Sequence, residues 1–359
     1  MRARAFDVFW RVRSLLFLLA ISCTSSPIWP ANAEDNPGLK PALHGLGAMG
    51  NPSFHHHKNY GIPDNINDIA ALPPGVFDVA IINVTWAQLQ PNPNSLDTTA
   101  IGRTLDAVRD YNARHPQKPL ALRLRVWAGT DAPAWAKELG GTAISIQQWN
   151  QSATIGRFWS APYRQAWQKL QIALAGRYDA EPLIREITVT SCSSISSEPF
   201  VLPIDQSSIE SLHAAGLTDA AYQKCLKSAE QDYEAWSTTR LEYPINPFRG
   251  IDTGQMVVNW DFSVALMQAW RQRMGARGVL SNYDLNSPLG PRVVPIYEAM
   301  KKLGRPIELQ MFAPRNVDLD ASVASGISMG AEVIELWNVV IPTISPSKLQ
   351  QWSRDLKAN

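Results

Sequence analysis

Short apolar runs, rich in β-branched residues, alternate with amphipathic segments along this chain. The apolar runs have the length of strands, and apolar residues recur with the period of a helix in the segments between them. Strands that alternate with helices favour a parallel sheet built from βα units. Eight such units in 359 residues predict an α/β fold, a single-domain TIM (β/α)8 barrel. The predicted strands are PALHGLGAM (41–49), FDVAIINVTW (77–86), PLALRLRVW (119–127), REITVTSC (185–192), GQMVVNWD (254–261), RGVLSNYD (277–284), RPIELQMF (305–312) and AEVIELWN (331–338).

The start of the chain carries the features of a signal peptide. A basic leader, MRARAFDVFWRVR, precedes the apolar run SLLFLLAIS, and Ala31-Asn32-Ala33 supplies small residues for cleavage. We therefore predict a signal peptide over 1–33, a barrel domain over 34–359, and a secreted or periplasmic location. The alternative is a lipid anchor at Cys23, a weaker interpretation because leucine is usual where Ala20 stands. No later run reaches the roughly 18 apolar residues of a membrane helix.

Charge and motifs argue against several classes of function. The net charge of +1, with scattered Lys and Arg, lacks the basic face that nucleic-acid binding needs. No P-loop, dinucleotide fingerprint or nucleophile elbow is visible, so no cofactor is predicted. The adjacent His55, His56 and His57 cannot all turn toward one ion. We interpret that run as a polar wall of a cleft, and predict no metal site.

Two cysteines remain after the predicted cleavage. Cys192 ends the fourth predicted strand, and Cys225 lies in a later helical segment. An exported protein meets an environment that permits disulfides. We predict a Cys192–Cys225 bond; the alternative is a pair of buried thiols.

Alternation along three predicted strands identifies the side chains that face the barrel lumen. In each strand one set of alternate residues is aliphatic and suits the helix-facing side, which turns the other set inward. The active site of such a barrel lies at the C-terminal ends of its strands. The inward set is Arg123, Arg125, Trp127, Glu308, Gln310, Phe312, Glu335 and Trp337.

Depth separates the two inward glutamates, each of which lies in an Ile-Glu-Leu triplet. Glu308 comes two residues after Pro306, which opens its strand, so Glu308 should lie low in the barrel. There Arg123 or Arg125 could neutralise it, since an unpaired buried carboxylate is costly. Glu335 should lie one lumen layer below Trp337, near the mouth. We predict a structural or orienting role for Glu308 and a chemical role for Glu335.

Aromatic side chains, and the polar side chains of Asn and Asp, lie at the ends of several predicted strands. Aromatic rings can stack on the apolar faces of sugars, which leaves the sugar hydroxyls to polar neighbours. This predicts a carbohydrate cleft, although some of the rings could simply cap the core, and Trp260 could point outward. The polar residues could bind hydroxyls or cap the following helices. The aromatic residues are Trp86, Trp127, Trp260, Tyr283, Phe312 and Trp337, and the polar ones are Asn259, Asp261, Asn282 and Asp284.

A further carboxylate, Glu198, lies in the serine-rich segment SCSSISSEPFVLP after the fourth predicted strand. A carboxyl group above the barrel, with Phe200 nearby to raise its pKa, could protonate a leaving oxygen. The alternative is an ordinary exposed loop acid.

The stretch Asn83 to Ala136, NVTWAQLQPNPNSLDTTAIGRTLDAVRDYNARHPQKPLALRLRVWAGTDAPAWA, resembles the second and third βα units of TIM-barrel glycoside hydrolases. The resemblance covers about a sixth of the chain. In the large retaining clan of that superfamily, an acid/base glutamate follows strand four, a nucleophile glutamate ends strand seven and a tryptophan ends strand eight. Glu198 and Trp337 match the first and third positions. The second falls near Gln310 or Met311, and Glu198 lies several residues beyond its expected place.

Together, these features predict a secreted glycosidase that acts on an oligo- or polysaccharide. The resemblance implies a retaining reaction with Glu198 as acid/base, and the depth of the two inward glutamates makes Glu335 the predicted nucleophile and Glu308 the residue that orients the site. The predicted substrate-binding residues are Trp86, Trp127, Arg125, Asn259, Tyr283, Gln310 and Trp337. A non-catalytic carbohydrate-binding barrel is the main alternative, and a metal-dependent hydrolase centred on the histidine run is a third. The sequence specifies neither the sugar, the linkage, endo or exo action, nor the oligomeric state.

Overall fold

The predicted barrel is confirmed. A computed structural model describes residues 38–49, 72–148, 151–194, 197–200, 204–312 and 318–359, all within one compact unit. Eight parallel strands close into a barrel, because the first strand pairs with both the second and the last. The predicted signal peptide and the histidine run 55–57 lie outside the described residues.

The strands and helices alternate as the sequence predicts. The strands are β1 (Gly45–Met49), β2 (Phe77–Thr85), β3 (Ala121–Trp127), β4 (Ile144–Gln148), β5 (Gln151–Ile155), β6 (Ile184–Thr188), β7 (Arg240–Pro244), β8 (Phe248–Gly250), β9 (Val257–Asn259), β10 (Gly278–Leu285), β11 (Ile307–Met311) and β12 (Val333–Trp337). The barrel order is β1-β12-β11-β10-β7-β6-β3-β2, and two antiparallel hairpins, β4-β5 and β8-β9, lie outside it. The helices are α1 (Trp86–Leu89), α2 (Thr99–Arg114), α3 (Ala134–Lys137), α4 (Ala161–Tyr178), α5 (Gln206–Ala214), α6 (Asp219–Lys227), α7 (Trp260–Met274), α8 (Val294–Leu303), α9 (Leu319–Ser328) and α10 (Pro346–Lys357).

The prediction for the fifth barrel strand is wrong. The segment 254–261 contributes β9, whose Val257 and Asn259 are exposed, and β9 pairs with β8 outside the barrel. The fifth barrel strand is β7, with the sequence RLEYP. Its arginine, glutamate and proline interrupt the apolar pattern, because in a barrel the lumen side of a strand can be charged. The apolar segment VVN satisfied the strand pattern without being buried.

The side chains of strand β3 point alternately toward the helices and toward the barrel lumen. Leu122, Leu124 and Val126 are buried in the apolar core with the surrounding helices. Arg123 and Arg125, between them, are equally buried but bond to charged residues from other barrel strands. The inner side of this barrel is therefore ionic, and the outer layer supplies the hydrophobic core.

The predicted disulfide is confirmed. Cys192, just beyond β6, is bonded to Cys225 in α6, with the two Cα atoms 6.0 Å apart. The bond closes a loop of 33 residues, which contributes about 3 to 4 kcal/mol by the chain-entropy estimate. It also ties the chain that leads to Glu198 to a helix of the outer layer.

In the described part of the chain, no helix has the length and apolarity needed to cross a membrane.

Candidate active site

The barrel lumen contains a buried cluster of two arginines and four glutamates from five different strands. Each of these side chains is at most 2% exposed. Buried charges are stable only when they are paired and hydrogen-bonded, so the cluster has to be considered as a unit. Its members, called the lumen cluster below, are Arg123, Arg125, Glu186, Glu242, Glu308 and Glu335.

Arg123 joins all four glutamates. Its guanidinium donates to Glu186 with an Nη2–Oε2 distance of 2.9 Å and lies 3.3 Å from Glu242. It also forms ion pairs with Glu308 and Glu335. The ion pair between Glu308 and an arginine is the one that the depth of Glu308 in its strand predicts.

Arg125 lies against Glu335 in a geometry that uses both carboxylate oxygens. Its Nη2 donates to Oε1 at 2.8 Å and to Oε2 at 3.1 Å. The same guanidinium donates to Gln310 at 3.2 Å and lies 4.4 Å from the centre of the Tyr283 ring. Tyr283 in turn donates its hydroxyl to Glu242 at 2.9 Å. Three residues predicted to bind substrate therefore contact each other and the lumen glutamates instead: Arg125, Tyr283 and Gln310.

Four carboxyl groups share two guanidinium groups, and the pKa values reflect this imbalance. Burial raises the pKa of Glu186 to about 7, against the opposing charge of Arg123. Burial also raises the pKa of Glu335, although Arg125 and Arg123 oppose it. For Glu242, burial is outweighed by Arg123, Arg125 and the Thr188 hydroxyl, so its pKa is lowered. Below about pH 7, the proton on Glu186 therefore brings the cluster closer to charge balance.

We expect Glu186 to give the protein a pH-dependent stability. Its folded-state pKa of about 7 exceeds the ordinary value of 4.5, so the folded protein keeps a proton that the unfolded chain releases. Its contribution to the free energy of unfolding is therefore complete below about pH 4.5 and declines as the pH rises to about 7. Urea unfolding of wild type and Glu186→Gln at pH 5, 6, 7 and 8 would measure this, and the variant should show the shallower decline.

Glu298→Gln, on the exposed surface of α8, is the matched control for that experiment. It should follow the wild-type pH dependence. Equal slopes for wild type and Glu186→Gln would show that Glu186 ionises alike in the folded and unfolded states.

A second group of polar residues lies at the C-terminal rim of the barrel. Half-buried Glu198 accepts a hydrogen bond from Asn246 Nδ2, in the segment that follows β7. Asn246 Oδ1 accepts from Asn282 Nδ2 at 2.9 Å, and Asn282 Oδ1 accepts from the backbone N–H of Asp284 at 2.9 Å. A continuous chain of hydrogen bonds thus links the loop carboxylate Glu198 to Asp284 on β10.

The surroundings of Asp284 complete this rim cluster. Burial raises the pKa of Asp284, and the positive charge of Arg249 on β8 opposes the rise. The charges of Asp284 and Glu198 both act on the buried Tyr297. The Tyr297 hydroxyl has no hydrogen-bond partner among the described residues. The rim cluster is defined here as Glu198, Asn246, Arg249, Asn282, Asp284 and Tyr297.

Two predicted substrate-binding residues lie elsewhere. Trp86 is fully buried, and its ring packs edge-to-face on Trp135, Tyr163 and Trp167, with centroid distances of 5.1 to 5.7 Å. It begins α1 rather than ending β2, so its side chain turns into the outer layer.

Asn259 ends β9, outside the barrel, and accepts a hydrogen bond from the backbone N–H of Phe262. Asn259 therefore caps α7, which is the alternative to binding a substrate hydroxyl.

The remaining aromatic residues divide into two groups. Trp127 and Trp337 are nearly buried, and their indole N–H groups donate to Asn83 Oδ1 and to the Met311 carbonyl. Trp260 and Phe312 are 38% and 53% exposed and are the solvent-accessible rings of this set. The tryptophan at the end of β12 is thus held against the end of the neighbouring strand β11.

Sequence reasoning missed Glu186, Glu242 and Asn246. The parity argument used for β3, β11 and β12 would have placed Glu186 in the lumen, because the alternate residues Ile187 and Val189 are apolar and suit the helix-facing side. Glu242 lies between the apolar Leu241 and Tyr243, a pattern that indicates a lumen-facing glutamate once β7 is recognised as a strand. Among the described residues, no group of three or more His, Cys, Asp or Glu side chains could hold a metal ion.

The fold and its charged residues define an eight-stranded α/β barrel that has carboxyl groups both in the lumen and at the C-terminal rim. No family model matches the chain, and no curated protein matches it. Among solved structures, it is similar to the exo-β-1,4-mannosidase Op5Man5 from Opitutaceae bacterium strain TAV5, with 14% identity and a TM-score of 0.49. The match covers 88% of this chain, which spans 56% of that one.

Two further solved structures show the same degree of similarity. Endo-glycoceramidase II from Rhodococcus sp. is 15% identical with a TM-score of 0.47, over 82% of this chain and 73% of its own. A β-galactosidase from Bacillus circulans sp. alkalophilus is 14% identical with a TM-score of 0.47, over 82% and 50%. Because similarity this low concerns the fold alone, we base no functional role on it.

Proposed function

We propose that this protein is a glycoside hydrolase acting on an oligo- or polysaccharide. The observation that supports this most directly is the rim position of Glu198, a half-buried carboxyl group whose orientation is fixed by Asn246. The active sites of such barrels lie at the C-terminal rim, where a general acid must stand beside the leaving oxygen. The exposed ring of Trp260 supplies an apolar surface for a sugar at the same end.

Glu198 serves as general acid/base in this proposal, and Glu335 remains the proposed nucleophile of a retaining reaction. Retention requires two carboxyl groups about 5 to 5.5 Å apart, with the nucleophile able to reach the anomeric carbon. Glu335 is 1% exposed and is held by both arginines of the lumen cluster. Its attack on a sugar therefore requires the lumen end near Trp337 to open. Asp284, already at the rim, is the competing second carboxylate.

Glu308 orients the site in this proposal. It bonds to Arg123, which also bonds to Glu335, so Glu308 can influence Glu335 through a shared guanidinium. Export through the predicted signal peptide would bring the enzyme to its glycan substrates.

Activity screening tests the proposal. Purified mature protein should release the chromophore from at least one aryl glycoside, or reducing ends from at least one polysaccharide. Glu198→Gln should lose this activity, while Glu298→Gln should retain it. Oligosaccharide binding without hydrolysis across the whole panel would instead establish the non-catalytic alternative.

A further inference from the structure

Arg249 occupies an unusual position at the rim. In β8 its neighbours face the outer layer, because Phe248 packs on Tyr222 and Phe262 with centroid distances of 5.4 and 4.7 Å. A Cβ at Gly250 would likewise lie 2.4 Å from an Asp219 carboxylate oxygen. Side chains alternate along a strand, so Arg249 projects from the opposite face, where it is half-buried.

The guanidinium of Arg249 makes no hydrogen bond and no ion pair within 4.0 Å among the described residues. Half-buried Arg271, by contrast, donates to the carbonyls of Gly278, Gly304 and Pro306. A guanidinium carries five N–H donors and is costly to remove from water without acceptors. Arg249 therefore has unused donors in a half-buried place.

A second positive charge, that of Arg292, acts on the guanidinium of Arg249. Burial is the main cause that lowers the pKa of Arg249, and the charge of Arg292 lowers it further. The side chain of Arg292 is exposed and makes no described hydrogen bond or ion pair. Asp284 and Glu198 act in the opposite direction on Arg249, but neither lies within ion-pair distance of it. Strand β8 pairs with β9, which leads directly into Trp260, and the Trp260 indole bonds to the backbone carbonyl of Arg292. The two arginines therefore lie on neighbouring segments, and neither side chain has a close acceptor among the described residues, so an anion would stabilise both.

The neighbouring surface fits a sugar. The indole N–H of Trp260 donates to the backbone carbonyl of Arg292 at 2.8 Å, which places the exposed indole beside that arginine. The unpartnered hydroxyl of Tyr297 lies within electrostatic range of Glu198 and Asp284. An aromatic face, hydrogen-bonding groups and two cations therefore meet at one end of the barrel.

We propose that Arg249 and Arg292 bind the anionic substituent of an acidic sugar at the rim. This inference rests on the proposed function, because it assigns a substrate class to the same site. The substituent is a monoanion, either a uronate carboxylate or a sulfate ester. A planar carboxylate can accept two parallel N–H bonds from the guanidinium of Arg249. Any repulsion from Glu198 and Asp284 would be stronger for a group of higher charge, such as a phosphate, than for a monoanion.

Binding titrations followed by NMR test this proposal without requiring hydrolysis. The probes are methyl β-D-glucuronide, methyl β-D-glucoside 6-sulfate and the neutral methyl β-D-glucoside, with their galacto counterparts. At least one anionic probe should bind about tenfold or more tightly than its neutral partner, as expected for a charge-assisted hydrogen bond. The carboxylate and sulfate arms identify which anion is recognised.

Variants connect that preference to the arginines. Arg249→Gln should bind the anionic and neutral probes alike, whereas Arg103→Gln, on the exposed side of α2, should keep the preference. Should Arg249→Gln not fold, the exposed Arg292→Gln provides the same test, with a smaller loss of preference. Equal binding of charged and neutral probes by wild type, or a preference that survives both substitutions, would overturn the proposal.

The outcome can be separated from the proposed function. Anion-selective binding that depends on Arg249, without hydrolysis of any glycoside, would support the inference and refute glycosidase activity. Hydrolysis of neutral glycosides with no preference for acidic ones would support the activity and overturn the inference.

Discussion

Replacing Arg123 with Met should lower the free energy of unfolding by about 3 to 5 kcal/mol at pH 8. Arg123 is completely buried and pairs with Glu186, Glu242, Glu308 and Glu335. Met has a similar length, so the loss would come mainly from carboxyl groups left in the lumen with Arg125 as the sole guanidinium of the cluster.

The loss should depend on pH. Without Arg123, the pKa values of Glu186 and Glu335 should rise further, because burial would remain and an opposing charge would be gone. The folded variant would then hold more protons than the unfolded chain between about pH 5 and 8, so its stability should fall as the pH rises. At pH 5 these carboxyl groups can take up protons, and the difference from wild type should shrink.

Denaturant unfolding at pH 5 and pH 8 would measure both effects. Arg103→Met, on the exposed surface of α2, is the control and should cost about 0.5 kcal/mol or less at either pH. A loss below about 1 kcal/mol for Arg123→Met, or one that is equal at the two pH values, would mean that the lumen is more hydrated than its burial indicates.

The lumen cluster also shows what the sequence could predict. Alternation along β3, β11 and β12 was sufficient to place Arg123, Arg125, Glu308 and Glu335 inside the barrel, because strand geometry fixes direction within a few residues. The ion pair of Glu308 followed from its depth in the strand. These predictions depend on local strand geometry and on the closure of the barrel, and the sequence pattern indicates both.

Other features depend on contacts between distant segments. The strand pattern of 254–261 is real, since β9 exists, but only its pairing with β8 shows that it lies outside the barrel. Trp86 follows a barrel strand closely, yet the N-cap at Thr85 starts a helix there and turns the ring outward. The hydrogen-bond chain from Glu198 to Asp284 joins residues 86 positions apart. No local pattern could have indicated it.

The roles of the carboxyl groups should be separable by azide, given a substrate that the screen identifies. Glu198→Gln should lose activity on a substrate with a poor leaving group by about a hundredfold to ten-thousandfold, the usual contribution of a general acid. It should keep glycosylation on a dinitrophenyl glycoside, because that leaving group needs no proton. Azide should then attack the glycosyl-enzyme and give a glycosyl azide with the substrate's anomeric configuration.

The nucleophile should give the opposite stereochemistry. If Glu335 attacks the anomeric carbon, Glu335→Gly should be inactive until azide takes its place, displaces dinitrophenolate directly and leaves the inverted glycosyl azide. The variant should fold, since Glu186, Glu242 and Glu308 still pair with Arg123. NMR of the product assigns the anomer. Rescue of Asp284→Gly rather than Glu335→Gly would place the nucleophile at the rim, which would leave the whole lumen cluster as the ionic support beneath the site.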